Sequence, residues 1–120
     1  MKTLAAAAIA ALSLGACVSL PQRDKLDGPP SQTHQSAKAP RVVADCIAAE
    51  WRKIRAVGTE LVIDVAPVGT GWRVTQKLGP SVSRVAQVDA QGSGSATKFW
   101  NLSMDFGATA PPVLAVGTCQ

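Results

Sequence analysis

The residues of this chain best suited to chemistry are three cysteines and one histidine, at positions 17, 46, 119 and 34, and the chain has no tyrosine. Acyl-transfer catalysis needs a nucleophile beside a base that a third group orients. Zinc binds four nitrogen or sulfur ligands, or three and a water. Because His34 lies in a proline-rich stretch predicted not to fold, and two cysteines are expected to pair, the sequence predicts no catalytic residue, no metal and no cofactor.

Cys46 and Cys119 are the two cysteines expected to pair. In an exported chain, an even pair of cysteines indicates a disulfide. The bond would close a loop of about 74 residues, which the chain-entropy model values at about 4.5 kcal/mol of stability. The alternatives are two buried free thiols, or a redox-active pair, although the C-x-x-C spacing of such pairs is missing.

Paired carboxylates would be needed for glycoside hydrolysis. The candidates in the predicted domain are Asp45, Glu50, Glu60, Asp64, Asp89 and Asp105. Asp45 and Glu50 are five residues apart on a predicted helix and do not share a face well. Glu60 and Asp64 belong to a predicted strand whose apolar face is needed for packing. The sequence therefore predicts that the protein is not an enzyme; turnover that is lost in a Glu60 or Asp64 variant would indicate the opposite.

The first twenty residues have the pattern of an export signal. Residues 1–3 carry one positive charge and residues 4–20 carry none. The uncharged run is rich in alanine and shorter than the span of about 20 strongly apolar residues that crosses a bilayer. We therefore expect a segment that directs export rather than a permanent transmembrane helix.

The end of this run, Leu14-Gly15-Ala16-Cys17, resembles the lipobox of bacterial lipoproteins. The resemblance implies a signal peptide over residues 1–16 and cleavage after Ala16. It also implies that Cys17 receives a diacylglyceryl group on sulfur and a fatty acyl group, such as palmitate, on its new amino group. The alternative is an ordinary secretory signal that happens to contain a cysteine.

The resemblance also predicts where the protein is found. Two or three acyl chains anchor a protein stably, whereas one chain binds a membrane only marginally. In lipoproteins generally, an aspartate after the lipidated cysteine tends to retain the protein at the inner membrane, and this chain has Val18 there. We expect a lipid-anchored protein of the outer membrane of a Gram-negative bacterium, facing the periplasm, with the cell exterior as the alternative orientation.

The charge of the chain is mildly positive, with a formal net charge of +4 that includes Lys2 of the predicted signal peptide. A charge of this size suits an anionic envelope polymer, but it serves solubility equally well. No basic run, recognition-helix signature or zinc-ligand set indicates a nucleic-acid partner. The partners expected are the membrane, through the lipid anchor, and an envelope protein or anionic envelope polymer.

Residues 17–40 contain the lipidated cysteine and four prolines, with few large apolar groups after Leu26. Such a composition predicts a disordered tether. Residues 41–120 are expected to form one small domain that begins with a helix of about four turns. Apolar residues at helical spacing support that helix; they are Val43, Cys46, Ile47, Trp51 and Ile54.

Alternating apolar and polar residues then predict an antiparallel meander. Its segments are "ELVIDVA", "WRVTQKL", "SVSRVAQVD" and "ATKFWNLSM", separated by glycine-rich turns. Pro67 is expected to end the first strand, and the third strand is irregular enough to contain a bulge. The tail after Pro111 starts a short helix or precedes an edge strand. The predicted fold is α+β, with one N-terminal helix packed on an antiparallel sheet of about four strands and locked by a disulfide.

A single helix covers only one face of such a sheet. If Trp72 and Phe99 point toward the helix, the alternation of side chains along a strand places four candidate binding residues on the opposite face. An exposed tryptophan among cations can contact an acidic or amphipathic partner. The alternative is an ordinary solvated face on which the tryptophan lies flat on its neighbours. The four residues are Arg73, Lys77, Lys98 and Trp100.

The function expected is that of a structural or assembly accessory that binds another envelope component. The alternative is an inhibitor of an envelope-attacking hydrolase, such as a lysozyme-type enzyme. A disulfide-locked domain suits inhibition because rigidity lowers the cost of binding. In that case a protruding loop, such as residues 89–96, would enter the cleft of the hydrolase.

Overall fold

A five-stranded antiparallel sheet is the centre of the fold in the computed structural model, which describes residues 26, 28–54, 60–102 and 110–120. The order across the sheet is β1-β5-β4-β3-β2. The last four strands form the meander that the alternation predicts, and β1 pairs with the free edge of β5. The strands are β1 (Gln32–Ser36), β2 (Leu61–Val68), β3 (Gly71–Leu78), β4 (Ser81–Gln91) and β5 (Gly94–Asn101).

Strand β1 lies inside the stretch predicted to be a disordered tether. Its sequence, QTHQS, is polar, and backbone pairing with β5 holds it in place, from Gln32 opposite Phe99 to Ser36 opposite Ser95. The folded part therefore begins before residue 41, and the predicted helix is not the N-terminal element. The predicted signal peptide, the lipobox and residues 17–25 lie outside the described residues.

Tight turns connect the strands of the meander. Gly69, Gly79 and Gly92 have φ angles of 58°, 56° and 58°, a conformation that glycine adopts freely because it has no Cβ. The pairing of β3 with β4 shifts register between Gln76 and Lys77. The irregularity expected in the third strand of the meander is thus confirmed.

Strand β2 continues through Pro67 to Val68, so the expectation that Pro67 ends it is wrong. The backbone N–H of Gly79 donates to the carbonyl of Glu60 at 3.0 Å, which makes these two residues a hydrogen-bonded pair of the β2–β3 ladder. Because such pairs alternate along an antiparallel ladder, the backbone of Pro67 faces away from β3. The missing N–H costs no ladder bond on this outer edge.

Helix α1 (Pro40–Arg52) packs across β2, β3 and β4. Proline suits its first turn, where an N–H has no partner within the helix. The predicted apolar stripe is confirmed, although Ile54 follows the helix rather than belonging to it. The buried residues of α1 are Val43, Ala44, Ile47, Ala48 and Trp51.

Helix α2 (Pro111–Thr118) forms the C-terminal tail, so the helix is the correct one of the two alternatives for this segment. The Cys46–Cys119 disulfide joins α1 to the end of α2, with a Cα–Cα distance of 5.7 Å. Trp51 Nε1 donates to the carbonyl of Pro112 at 2.9 Å. The predicted disulfide is confirmed, and it fixes α2 against α1.

The hydrophobic core lies between the two helices and one face of the sheet. Phe99 is fully buried there with Val74, Ala86 and Val88. Its ring centroid lies 6.1 Å from that of Trp51, and the rings are tilted by 57°, an arrangement that aromatic pairs favour. The α+β class is correct, with a five-stranded sheet rather than one of about four strands. No helix in the described ranges is long and apolar enough to span a membrane.

Candidate functional site

The face of the sheet opposite the helices, called the open face below, carries the four candidate binding residues. Residues that oppose each other on neighbouring strands share a face. Arg73 on β3 opposes Gln87 on β4, which opposes Lys98 on β5. Val74, one residue along from Arg73, is buried in the core under the helices. The open face therefore includes Arg73, Thr75, Lys77, Val85, Gln87, Lys98 and Trp100.

Arg73 is held by a hydrogen-bond network on this face. Its Nε donates to Oε1 of Gln87 at 2.9 Å. Nε2 of Gln87 donates to Oδ1 of Asp89 at 2.9 Å and to the carbonyl of Val68 at 3.3 Å. Gln87 is only 7% exposed. Its amide group links the cation Arg73 to the anion Asp89, which make no direct ion pair with each other. The guanidinium of Arg73 is thereby positioned while its charge stays on the open face.

Trp100 is half-buried and is not the exposed aromatic contact that the binding hypothesis describes. Its Nε1 donates to the carbonyl of Gly28 at 3.1 Å, and the Asn101 N–H donates to Oγ of Ser31 at 3.1 Å. The residues just before β1 therefore lie against this end of the open face. The side chain of Trp100 anchors that segment to the sheet.

The two lysines of the candidate set differ in exposure. Lys98 is exposed and opposes Thr33 of β1, whereas Lys77 is half-buried and opposes Val62 of β2. Within the described residues, neither lysine takes part in an ion pair. The cations of the open face are thus spread across β3 and β5, with Arg73 and Lys98 two strands apart, or about 10 Å.

His34, expected in a disordered tether, is part of β1. It is half-buried, and its Nε2 lies 3.0 Å from Oε1 of Gln32. No nucleophile or carboxylate is hydrogen-bonded to its ring among the described contacts. Within the described ranges, no group of three or more histidine, cysteine or acidic residues is arranged to hold a metal ion.

The carboxylates considered for hydrolysis are dispersed. Asp45 pairs with Arg41 and Glu50 pairs with Lys53, at 2.9 and 2.7 Å on the helix surface. Glu60 and Asp64 are exposed at β2, and Asp105 lies outside the described residues. The positions of these groups do not suggest a pair of carboxylates flanking a substrate.

Two shallow depressions border the β4–β5 hairpin, with volumes of about 440 and 360 Å³. Gln35 and Gln91 line both, and Lys98 is the only charged side chain among the lining residues. No sequence pattern selects these glutamines or Gln87, because the role of an amide side chain becomes visible only when its hydrogen-bond partners are known. These residues enlarge the polar part of the open face toward β1.

Neither a family model, nor a curated protein, nor a solved structure matches this chain.

Proposed function

We propose that this chain is a lipid-anchored lipoprotein of the bacterial outer membrane whose domain acts, without catalysis, as a structural or assembly accessory in the periplasm. The observation that carries the proposal is the Cys46–Cys119 disulfide. Disulfides persist mainly in oxidising compartments such as the bacterial periplasm. The bond also uses both cysteines of the domain, so that Cys17 of the lipobox-like motif is the single cysteine left for acylation.

The described part of the N-terminal segment is compatible with a short tether. Gly28 is already hydrogen-bonded to the sheet through Trp100, so about ten residues separate Cys17 from the folded domain. Ten residues reach at most about 35 Å even when fully extended. The domain would therefore stay close to the lipid head groups rather than reach far into the periplasm.

The anchor is tested by metabolic labelling of producing cells with a clickable palmitate analogue. We expect label on the full chain and none on a Cys17→Ser variant, which should no longer co-sediment with membranes. Ala16→Ser is a matched control, because a small residue remains before the cysteine. An unlabelled wild-type chain, or a Cys17→Ser variant that stays with the membrane fraction, would contradict the proposal.

The binding role is assigned to the open face, where Arg73 and Lys98 present positive charge beside amide groups. An acidic protein surface or an anionic envelope polymer would complement that charge. Photo-crosslinking from position 98 in living cells should capture such a partner. The matched control is Lys53, which directly follows α1; it is also exposed but lies on the other side of the sheet. Equal capture from both positions would argue against a specific open-face partner.

A second candidate function is inhibition of an envelope-attacking hydrolase, and one observation favours it. The β4–β5 hairpin extends beyond the start of β3, and residues 90–93 at its tip are exposed. The range 89–96 is a tight hairpin rather than a loose loop, since Gln91 opposes Gly94. A pre-ordered tip of this kind loses little entropy when it enters a cleft.

Inhibition is tested with a lysozyme-type enzyme and the purified full chain. Ser93→Arg at the hairpin tip should abolish inhibition by steric obstruction. Thr70→Arg, in the two-residue turn between β2 and β3, is the matched control and should leave it intact. If the wild-type chain does not slow the hydrolase, this second function is excluded for that enzyme class.

A further inference from the structure

The two edges of the sheet differ in length and polarity. β1 has five residues, all polar, whereas β2 has eight, of which Asp64 alone is polar. An edge strand presents unpaired backbone groups that can pair with another chain, and proteins protect such edges with short strands, charges or proline. β1 is short and polar, whereas β2 has one charge and a proline near its end. β2 is therefore the edge that is open to strand addition.

The alternation of backbone direction along β2 identifies the groups available for pairing. Since Glu60 and Gly79 form a hydrogen-bonded pair, Leu61, Ile63 and Val65 direct both N–H and C=O away from β3. In the described part of the chain no strand pairs with this outer edge. Pro67 also faces outward, but it supplies no donor.

The side chains of β2 are also incompletely covered. Val62 is 40% exposed on the open face. Ile63 and Val65, on the covered face, pack only partly against the core. A further strand beside β2 would remove apolar surface from water on both faces, which favours association.

We infer that β2 pairs with β2 of a second copy of this chain, in antiparallel orientation, about a twofold axis at Ile63. In this register Ile63 opposes its own counterpart, and Leu61 opposes Val65 of the other protomer. Each of these pairs exchanges two backbone hydrogen bonds. Between them, Val62 opposes Asp64 in a non-hydrogen-bonded pair, where facing side chains lie closest.

Three other symmetric registers that match outward-facing groups are less favourable. An axis at Val62 would put Glu60 opposite Asp64, and an axis at Asp64 would put the two Asp64 side chains opposite each other. Like charges directly opposite destabilise a strand pair. An axis at Val65 would oppose Ile63 to Pro67, which has no N–H to donate. The register at Ile63 avoids all three defects.

The symmetry of the proposed dimer is compatible with the anchoring of both protomers in the same membrane. Its twofold axis is perpendicular to the sheet, so the open faces of both protomers point the same way. Gly28 is bonded to Trp100 on that face, which places both copies of Gly28 on one side of the combined sheet. Two anchors of the proposed function could then enter one bilayer, although the strand pairing itself does not depend on an anchor.

A charge substitution at Val62 distinguishes pairing in the proposed register from nonspecific association through apolar surface. Asp at position 62 would face Asp64 of the other protomer, whereas Lys would attract it. Within a protomer Val62 opposes Lys77 but also lies two residues from Glu60 and from Asp64 on the same face, so urea unfolding of both variants is measured alongside. Association that is lost by a variant whose urea unfolding matches that of the wild-type chain is then due to the interface and not to impaired folding.

The measurement is sedimentation equilibrium of the full chain in detergent, in a Cys17→Ser background, so that the result does not depend on lipidation. We expect a dimer whose dissociation constant rises at least tenfold for Val62→Asp and does not rise for Val62→Lys. Thr33→Asp, on the exposed β1 edge of the same face, is the matched control and should change nothing. A monomer at every concentration, or equal weakening by both charges, would overturn the inference.

Cysteine trapping tests the register directly. Mild oxidation of a mixture of Val62→Cys and Asp64→Cys chains, carrying different tags in the same background, should give mixed disulfide dimers. Thr33→Cys mixed with Gln35→Cys, at the β1 edge, should give none. A dimer that forms without the mixed 62–64 disulfide would refute the proposed pairing.

Discussion

The two faces of the sheet are made by alternate residues of the same strands, yet they are stabilised differently. The covered face buries Val74, Ala86 and Phe99 beneath two helices that a disulfide joins. The open face positions Arg73 through Gln87 by hydrogen bonds. A large-to-small change in a core costs about 2–5 kcal/mol, whereas one hydrogen bond contributes about 0.5–1.5 kcal/mol net. The comparison predicts that the covered face contributes most of the stability.

The largest effect is expected from removing the disulfide that holds the covering helices together. In the chain-entropy model, Cys46→Ser combined with Cys119→Ser lowers the free energy of unfolding by about 4.5 kcal/mol. Urea unfolding monitored by tryptophan fluorescence measures the loss. A change below about 1 kcal/mol would show that packing alone holds α2 in place.

Replacing one tryptophan on each side of the sheet by alanine compares the two faces most directly. Trp51→Ala removes a fully buried ring and its hydrogen bond to Pro112, and is expected to cost about 4 kcal/mol. Trp100→Ala, on the open face, is expected to cost about 2 kcal/mol or less, because the ring is half-buried. Equal losses of unfolding free energy for the two variants, measured with denaturant, would contradict the proposed difference between the faces.

The hydrogen-bond network of the open face is expected to contribute less to the free energy of unfolding than the disulfide or Trp51. Gln87→Ala leaves Nε of Arg73 without its amide acceptor and should lower the free energy of unfolding by about 1 kcal/mol. Lys98→Ala, in the same row of the sheet, is the control and should change it by less than about 0.5 kcal/mol, because Lys98 is exposed. A loss for Gln87→Ala as large as that for Trp51→Ala would show that the open face also determines stability.

The smallest effect is expected where α1 meets the rim of the sheet. The guanidinium of Arg41 lies 4.1 Å from the ring centroid of Trp72 and also pairs with Asp45. Arg41→Ala should cost about 0.5–1 kcal/mol, mostly from the cation–π contact. Lys53→Ala, which removes an exposed ion pair without a ring, should cost about 0.3 kcal/mol. Thermal unfolding at low and high salt distinguishes the two, because the exposed ion pair weakens more in salt.

Helix α1 and the four-stranded meander were predictable because each has a repeating apolar pattern. Val43, Ile47 and Trp51 recur at helical spacing, and the strands alternate. The disulfide was predictable from the number of cysteines. The same alternation placed the four candidate residues on one face, although their role in binding remains a prediction.

Strand β1 was missed because nothing in its own sequence indicates a strand. Its five polar residues have little β propensity as a group. The strand forms because β5 offers a free edge on which Gln32 pairs with Phe99. Pro67 was misjudged for a related reason, since a proline is compatible with a strand only on an outer edge, and edge position is a property of the assembled sheet.

The local order of this protein, which comprises a helix, alternating strands and glycine turns, follows from short-range side-chain periodicity and backbone sterics, so the amino-acid sequence alone determines it. Tertiary structure decided what depends on residues far apart in the chain. Trp100 meets Gly28 at a separation of 72 residues, and the same assembly makes β2 an edge. Partners this distant leave no periodic signal, because only the packing of the whole domain brings them within hydrogen-bonding distance.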